Sequence, residues 1–267
     1  RGSISAEEID QGQLIDKHYY AIASKATLLT PDKLNVPAEK FQKQFGISWG
    51  DALSQGRCYN AADAAKKLNL SAEELEALWG KTKAAKKMIK FGGGFYCGEV
   101  EDGMYVFNGF FMSMRNKFVK KGVSIYYYVV EWDAKKLSWE DFRGNLLGPT
   151  DPSTAPKDSL RGIIYNQWKD LGLEAMPDTG DNGVHASASP FEALAEQMNW
   201  LGRPLESLEF GRAMLGAGIP KALIEEWSVD PQVVYGPTRI KASIFDTLED
   251  TDADYCLALA TMVCGNY

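Results

Sequence analysis

The residues around His185 combine a nucleophile with groups that could orient it. Asn182 lies three positions before this histidine, Ser187 two positions after it and Glu196 eleven positions after it. An imidazole with an ordinary pKa of about 6.5 is largely neutral at about pH 7, so it can attack an electrophile without further activation. A neighbouring carboxylate can hold such a ring in one orientation. The spacing indicates nucleophilic catalysis at His185, with Ser187 and Glu196 as its catalytic partners.

A helix start directly follows these residues. The sequence Ser-Pro-Phe-Glu at 189–192 combines a capping-box pattern with proline at the first helical position, which predicts that a helix begins there. Glu196 would lie on this helix, and His185 would lie just before it, at a strand end or turn. Such a rigid junction can keep a reactive side chain both exposed and fixed.

The composition is that of an ordinary globular protein. The chain has 267 residues, 45% of them hydrophobic and 24% charged, which is enough to bury a substantial core. A net charge of −7 and a pI of about 5.1 argue against a broad binding surface for nucleic acid or anionic membranes. Apolar runs are shorter than the roughly 20 residues that span a bilayer, so membrane insertion is not expected.

The cysteines predict a reducing environment. Cys58, Cys97, Cys256 and Cys264 show no Cys-x-x-Cys spacing and are too few for a disulfide scaffold, which favours free thiols. The cytoplasm or another reducing compartment is the expected location. Because the sequence begins at Arg1, a second hypothesis stays open: the protein is carried to an organelle by a targeting peptide that is then removed.

The first half of the chain predicts an α/β arrangement. Residues 1–16 are polar and predict a mobile arm. The glycine-rich segment 91–95 lacks the Gly-Lys-Ser/Thr ending of a phosphate loop and precedes a strand, so it predicts a bend entering a sheet. Strands are predicted over Tyr19–Leu29, Tyr105–Phe118 and Ser124–Trp132, the last two as antiparallel neighbours. Helices are predicted over residues 37–53, 61–68 and 71–87.

The second half predicts helices around one long loop. Ser138 would open a short helix over 137–148, and an irregular, proline-rich loop then runs to residue 162. Loops of this length are uncommon in compact domains unless they are functional or disordered. The acidic run at 250–254 lacks the Gly and Glu of a calcium loop and so predicts only the lead into the last helix. Helices are predicted over residues 163–171, 204–214, 220–227 and 252–263.

Three segments together resemble nucleoside diphosphate kinases. Asn182-x-x-His185-Ala-Ser187, followed by Glu196, resembles the active-site motif of that family. The loop Gly-x-Thr-Asp-Pro at 148–152 with Ser-Leu-Arg-Gly at 159–162 resembles its phosphate-binding loop, and Val-Glu-Trp at 130–132 resembles the strand before that loop. Order and spacing agree over residues 125–202, and this agreement is more specific than any single motif.

The resemblance implies a fold and a domain arrangement. The fold would be an α/β (α+β) sandwich of the ferredoxin-like type, with an antiparallel sheet covered by helices and extra helices at both ends. The kinase-like domain would span residues 17–202, with a helical insertion at about 37–87. A C-terminal helical extension would cover residues 203–267.

The resemblance also implies an activity and its residues. His185 would accept the γ-phosphoryl group in a ping-pong transfer between nucleotides, and Glu196 would orient its imidazole. Mg²⁺ would enter with ATP or another nucleoside triphosphate, and the partners would be nucleoside di- and triphosphates and further copies of the chain. Ribose and phosphate contacts would come from Lys25, Arg143, Thr150, Arg161 and Asn182. From the residue pattern alone, Lys25 is an edge-strand lysine whose charge prevents pairing with a strand of another chain.

Departures from the family pattern keep other hypotheses open. Ala186 and Ala188 replace the usual Gly and Asp of the motif. Only a turn joins the strands predicted at 105–118 and 124–132, where the family inserts a helical pair that carries the base-stacking aromatic. The alternative is a catalytically weak or inactive domain that acts as a structural or protein-interaction module. An unrelated hydrolase or transferase that uses His185 is a third hypothesis.

Overall fold

The computed structural model describes residues 1–236 and 239–266. The protein is mixed α/β, with 52% helix and 13% strand, so the predicted class is confirmed. The chain forms two compact units, Arg1–Val129 and Val130–Tyr267. The kinase-like domain at 17–202 stays a prediction.

The first unit is built from short strands and helices. Its strands are β1 (Gly2–Ser5), β2 (Cys58–Asn60), β3 (Met88–Gly92), β4 (Phe95–Glu99), β5 (Tyr105–Phe107) and β6 (Ser124–Tyr127). Its α-helices are α1 (Ala6–Gly12), α2 (Leu14–His18), α3 (Tyr20–Ala23), α4 (Ala38–Phe45), α5 (Trp49–Ser54), α6 (Ala61–Leu68), α7 (Ala72–Ala84) and α8 (Phe111–Val119). A π-helical segment (Ser24–Leu28) follows α3, and 3-10 turns cover Pro31–Lys33 and Glu101–Gly103.

Four strands form a mixed sheet in the order β2-β5-β4-β3. The strand β5 runs parallel to β2, with Cys58 opposite Tyr105, and antiparallel to β4. A hairpin joins β3 to β4 through Gly93 and Gly94, and Gly94 has a φ of +59°, a left-handed conformation that glycine adopts without steric cost. The segment 91–95 therefore turns the chain between two strands of the sheet, whereas the sequence predicts a bend before the sheet.

The side chains of β5 alternate between two hydrophobic cores. Val106 packs with α6, α7 and α8 in a core that contains the fully buried Leu75. Tyr105 and Phe107 point into the opposite core, where the ring of Phe41 from α4 lies 5.0 Å from that of Tyr105. All residues of β5 are buried, as expected of a strand covered on both faces.

Residues 1–16, predicted as a mobile arm, adopt regular structure. β1 pairs antiparallel with β6. Ser5 and Glu8 form a reciprocal capping box, in which Ser5 N–H donates to Glu8 Oε2 at 2.8 Å. Ile4 and Ile9 are buried. Two apolar anchors around a marked helix start explain why this polar segment is structured.

The predicted strand Tyr19–Leu29 is wrong, because this segment is helical. Ala23 and Ala26 are fully buried in the core shared with α6. Thr27 Oγ1 donates to Oδ1 of the buried Asp16 at 2.6 Å. The Tyr and Thr residues favour a strand, but alanine favours helix and the tertiary contacts select it.

The predicted strand Tyr105–Phe118 is also wrong beyond its third residue. Asn108 is fully buried with a φ of +48° and turns the chain toward α8. Its Nδ2 donates to Ile22 O at 2.9 Å and to Gly94 O at 2.8 Å, and its Oδ1 accepts from Tyr96 N–H at 2.9 Å. These bonds hold a left-handed backbone conformation that asparagine tolerates better than most residues.

The predicted strand Ser124–Trp132 is shortened. Only β6 is regular, and it pairs with β1 rather than with the segment before it. Tyr126 and Tyr128 keep 77% and 68% of their surface exposed, whereas Ile125 and Tyr127 on the other face of the strand are half-buried. The pattern of aromatic residues does not distinguish a core strand from this exposed ribbon.

Other predictions for the first unit are confirmed. The helix predicted over 61–68 is α6, and the capping box of Ser71 and Glu74 opens α7. The helix predicted over 37–53 is present as α4 and α5. The cysteines of both units are free thiols.

The second unit is largely helical. Its helices are α9 (Trp139–Asp141), α10 (Leu160–Gln167), α11 (Pro190–Leu201), α12 (Glu209–Gly216), α13 (Lys221–Trp227), α14 (Ile244–Leu248) and α15 (Ala253–Cys264). A hairpin of β7 (Gln232–Tyr235) and β8 (Ile240–Ser243) precedes α14, a π-helical segment (Phe142–Leu147) follows α9, and 3-10 turns cover Pro152–Thr154 and Leu205–Ser207. The predicted helices of this half are therefore present, with ends shifted by a few residues.

One core holds α11 to α15 together. Phe191 and Trp227 are fully buried, with ring centroids 6.2 Å apart in an edge-on arrangement. Ile244 and Leu248 from α14 join the same core. Burying each large apolar side chain contributes roughly 1.5–3 kcal/mol, which fixes α11 and therefore the residues at its N-terminus.

Candidate functional site

The N-terminal end of α11 carries the candidate site. Ser189 is the N-cap: its Oγ accepts from Glu192 N–H at 3.1 Å, and Pro190 is the first helical residue. The predicted helix start is confirmed. The Glu192 carboxylate, instead of completing the capping box, accepts a hydrogen bond from Ala188 N–H. The helix therefore grips the backbone of the preceding turn.

Two side chains converge on one carboxylate. Nε2 of His185 lies 2.6 Å from Oε1 of Glu196, and Ser187 Oγ donates to Oε2 of the same group. The imidazole keeps 53% of its side-chain surface exposed, whereas Glu196 keeps 16%. The structure thus brings the three predicted catalytic residues together, with the imidazole more exposed than the carboxylate it contacts.

The carboxylates of α11 shift the pKa values of this site. Burial lowers the pKa of His185, but the hydrogen bond and charge of Glu196 outweigh burial and raise the pKa above its ordinary value. Burial and then the charge of Glu196 raise the pKa of Glu192 to about 7. Because these charges lie close together, the titrations of Glu192 and His185 depend on one another.

The long loop is tied to the histidine segment by Arg161. This side chain is only 9% exposed, and its guanidinium donates to Gly148 O at 2.8 Å and to Val184 O at 3.0 Å. Its Nε has no hydrogen-bond partner within the described part of the chain. The residue predicted to contact phosphate thus joins two backbone segments, and a phosphate contact stays a prediction.

A second connection joins the same two segments. Asn182 Nδ2 donates to the backbone carbonyl of Thr150 at 3.1 Å. Both residues were predicted to contact nucleotide. The structure brings them together through a hydrogen bond from a side chain to a backbone carbonyl. The two residues are 32 positions apart in the sequence, and this bond and those of Arg161 hold their two segments together.

Arg143 is held by carboxylates from the end of the chain. Its Nη1 lies 2.8 Å from Glu249 Oε1 and 2.5 Å from Asp250 Oδ1. Burial lowers the pKa of Arg143, but the bonds to Asp250 and Glu249 outweigh burial and raise the pKa above its ordinary value. The guanidinium is therefore charged. The side chain is 25% exposed and is the more accessible of the two arginines predicted to bind phosphate.

An aromatic cluster supports the turn after His185. Trp132 stacks on Phe142 with ring centroids 4.5 Å apart and lies 4.8 Å from Trp139. Trp139 Nε1 donates to Ser187 O at 2.9 Å. A large rigid side chain therefore holds the backbone of Ser187 by this hydrogen bond.

Lys25 belongs to the first unit. Its Nζ donates to Ala21 O at 2.5 Å and lies 5.7 Å from the centroid of the Phe95 ring. Burial lowers its pKa. Lys25 and Lys33 line an open groove of about 300 Å³, and the predicted contact of Lys25 with ribose or phosphate stays a prediction.

Four residues of the site were missed by sequence reasoning. Glu192 lies four positions before Glu196, on the same helix face, which is a readable signal. Trp139, Glu249 and Asp250 reach the site only through tertiary contacts, and their sequence positions give no such signal.

Comparison with protein-family models, curated proteins and solved structures finds no significant match to this chain. The resemblance to nucleoside diphosphate kinases therefore stays a prediction from the motif residues. Within the part of the chain that the structure describes, no helix is long and apolar enough to cross a membrane.

Proposed function

We propose that the chain is a nucleoside diphosphate kinase-like phosphotransferase that moves a γ-phosphoryl group between nucleotides through a phosphohistidine at His185. The contact of His185 Nε2 with Glu196 Oε1 at 2.6 Å supports this proposal most directly. The ferredoxin-like arrangement and the kinase-like domain at 17–202 belong to the same proposal.

The contact assigns roles to the two ring nitrogens. An ionised carboxylate only accepts hydrogen bonds, so Nε2 carries the proton and the lone pair of the neutral ring lies on Nδ1. Nδ1 is therefore the attacking atom. Because the second oxygen of Glu196 accepts from Ser187, the carboxylate cannot rotate freely and the ring keeps one orientation.

The reaction balances as two displacements. In the first, Nδ1 of His185 forms a bond to the γ-phosphorus, the bond from that phosphorus to the bridging oxygen breaks, and the nucleoside diphosphate leaves with the electron pair. In the second, a β-phosphate oxygen of another nucleoside diphosphate attacks the phosphohistidine and releases the ring. Mg²⁺ arrives with the nucleotide and neutralises phosphate charge.

One observation favours the alternative, a weak or inactive domain that serves as a structural or protein-interaction module. Arg161 uses its two terminal nitrogens on backbone carbonyls, and Arg143 is held by Glu249 and Asp250. Phosphoryl transfer needs positive charge near the equatorial oxygens. A site whose arginines stay engaged in this way would transfer phosphate slowly.

Incubation with γ-labelled ATP and Mg²⁺ tests the proposal. Wild type should gain a label that is acid-labile and base-stable, and His185→Ala should gain none. Asn69→Ala, which changes an exposed residue of the first unit, is the control variant and should gain as much label as wild type. Absence of label in wild type, or equal labelling of His185→Ala, would contradict the proposed function and favour the interaction module.

A further inference from the structure

The acidic turn between α14 and α15, residues 249–252, packs directly on the candidate site. Besides the two carboxylates on Arg143, Asp250 N–H donates to Ala188 O at 2.9 Å. Asp252 Oδ1 accepts from Trp139 N–H at 2.8 Å. The turn therefore contacts the π-helical arginine segment, the aromatic cluster and the residue next to Ser187.

The contact with Arg143 uses the chemistry that recognises a phosphate. Two anionic oxygens from Glu249 and Asp250 meet Nη1 of Arg143, and arginine binds phosphate oxygens through the same kind of charge-assisted hydrogen bond. A nucleotide phosphate that binds Nη1 therefore competes with these carboxylates for the same donor. Both cannot hold it at full strength at the same time.

The backbone of the turn is anchored, whereas the two side chains at its centre are exposed. Leu248 is fully buried, and Thr251 is 9% exposed and donates its hydroxyl to Leu248 O at 2.5 Å. Glu249 and Asp250 in contrast keep 45% and 41% of their side chains exposed. Ion pairs at such exposure are weak and open to competition. Rotation of these two side chains would release Arg143 without unfolding the turn.

We propose that Glu249 and Asp250 act as an internal competitor for the anion site at Arg143. A polyphosphate ligand binds there only when these carboxylates release the guanidinium. This inference rests on the proposed function for the identity of the natural ligand, a nucleoside triphosphate. It assigns the C-terminal extension a regulatory role, because anything that draws the acidic turn away would raise the affinity of the site.

Calorimetric titration of the full chain with sodium tripolyphosphate tests the competition. The double variant Glu249→Gln with Asp250→Asn keeps the size and polarity of both side chains and removes their charge. We expect it to bind tripolyphosphate about fivefold more tightly than wild type, since one exposed pair contributes up to about a fivefold effect. Adding Arg143→Gln should abolish the gain.

A matched control separates local competition from the change in net charge. Asp170→Asn with Glu226→Gln removes one exposed Asp and one exposed Glu from the same unit and should bind like wild type. Equal affinity of the two double variants, or a gain that survives Arg143→Gln, would overturn the competition. The single variants should each give part of the gain, which keeps the test valid if the double variant is unstable.

The same variants separate this inference from the proposed function. A gain in tripolyphosphate binding without phosphohistidine in any variant would support the competition and contradict the phosphotransferase. Normal phosphohistidine formation with unchanged tripolyphosphate binding would overturn the competition and support the phosphotransferase.

Discussion

Nε2 of His185 lies 2.6 Å from Oε1 of Glu196, while Ser187 donates to the other oxygen of the same carboxylate. Glu196 is fixed because it lies in the second turn of a helix whose core residue Phe191 is fully buried. The hydrophobic core thus fixes the helix, the helix fixes the carboxylate of Glu196, and this carboxylate orients the imidazole. A ring fixed in this way needs little reorganisation before it attacks an electrophile.

Replacing Glu196 with Gln should slow phosphorylation of His185 by roughly a hundredfold. The amide keeps the size of the side chain but removes the charge that raises the pKa of His185. Nuclear magnetic resonance titration should therefore show a lower pKa for His185 in the variant. Glu226→Gln, an exposed substitution on another helix, is the matched control, and an unchanged His185 pKa in Glu196→Gln would contradict the role of this carboxylate.

The raised pKa of Glu192 predicts that the protein loses stability as the pH rises. Its pKa in the folded protein is about 7, above the ordinary value of 4.5, so its contribution is fully present below about pH 4.5 and is lost as the pH rises through about 7. The raised pKa of His185 acts in the same direction, because that contribution is also lost at higher pH.

Glu192→Gln isolates the glutamate contribution. At about pH 8 we expect its free energy of unfolding to exceed that of wild type by about 1–2 kcal/mol, and at about pH 4 the two should agree. Denaturant unfolding at both pH values measures this difference. The same pH dependence in both proteins would show that Glu192 ionises normally in the folded state.

Arg161→Ala should destabilise the protein by about 2–4 kcal/mol, because it leaves the carbonyls of Gly148 and Val184 without their buried donor. Arg161→Lys should not restore stability, since one ammonium group lacks the fork that spans both carbonyls. Arg203→Ala, at an exposed position, should change stability by less than about 0.5 kcal/mol. A melting temperature near wild type with weaker triphosphate binding would instead assign Arg161 to the phosphates.

Asn108→Ala should destabilise the first unit by about 3 kcal/mol, because it removes a group with three buried hydrogen bonds at a φ of +48°. Asn69→Ala is the matched control, since Asn69 has a φ of +53° but is exposed, and it should lose about 1 kcal/mol. Thermal unfolding compares the two. Equal losses would mean that backbone strain alone, without the side-chain bonds, ends β5.

Local signals account for what the sequence predicts well. The helix starts at Ser71, Ser138 and Ser189 depend on a side chain bonding to a backbone group three residues away. The convergence of His185, Ser187 and Glu196 follows from one turn and one helix, so its spacing is also readable.

Long-range contacts account for the errors. The helical segment 19–29 is stabilised by the bond of Thr27 to Asp16, which in turn is held by Arg115 from 99 positions away. Arg143 meets Asp250 across 107 positions. A pattern within a short window carries no information on such pairs, so neither the helix at 19–29 nor the acidic turn on Arg143 could be predicted.

The most direct test isolates the labelled protein and follows the fate of its phosphoryl group. Protein labelled with γ-labelled ATP is freed of nucleotide and mixed with Mg²⁺ and an unlabelled nucleoside diphosphate. Phosphotransfer through His185 predicts that the label leaves the protein and appears in the corresponding nucleoside triphosphate. Label that stays on the protein, or that is released only as inorganic phosphate, would contradict transfer between nucleotides through His185.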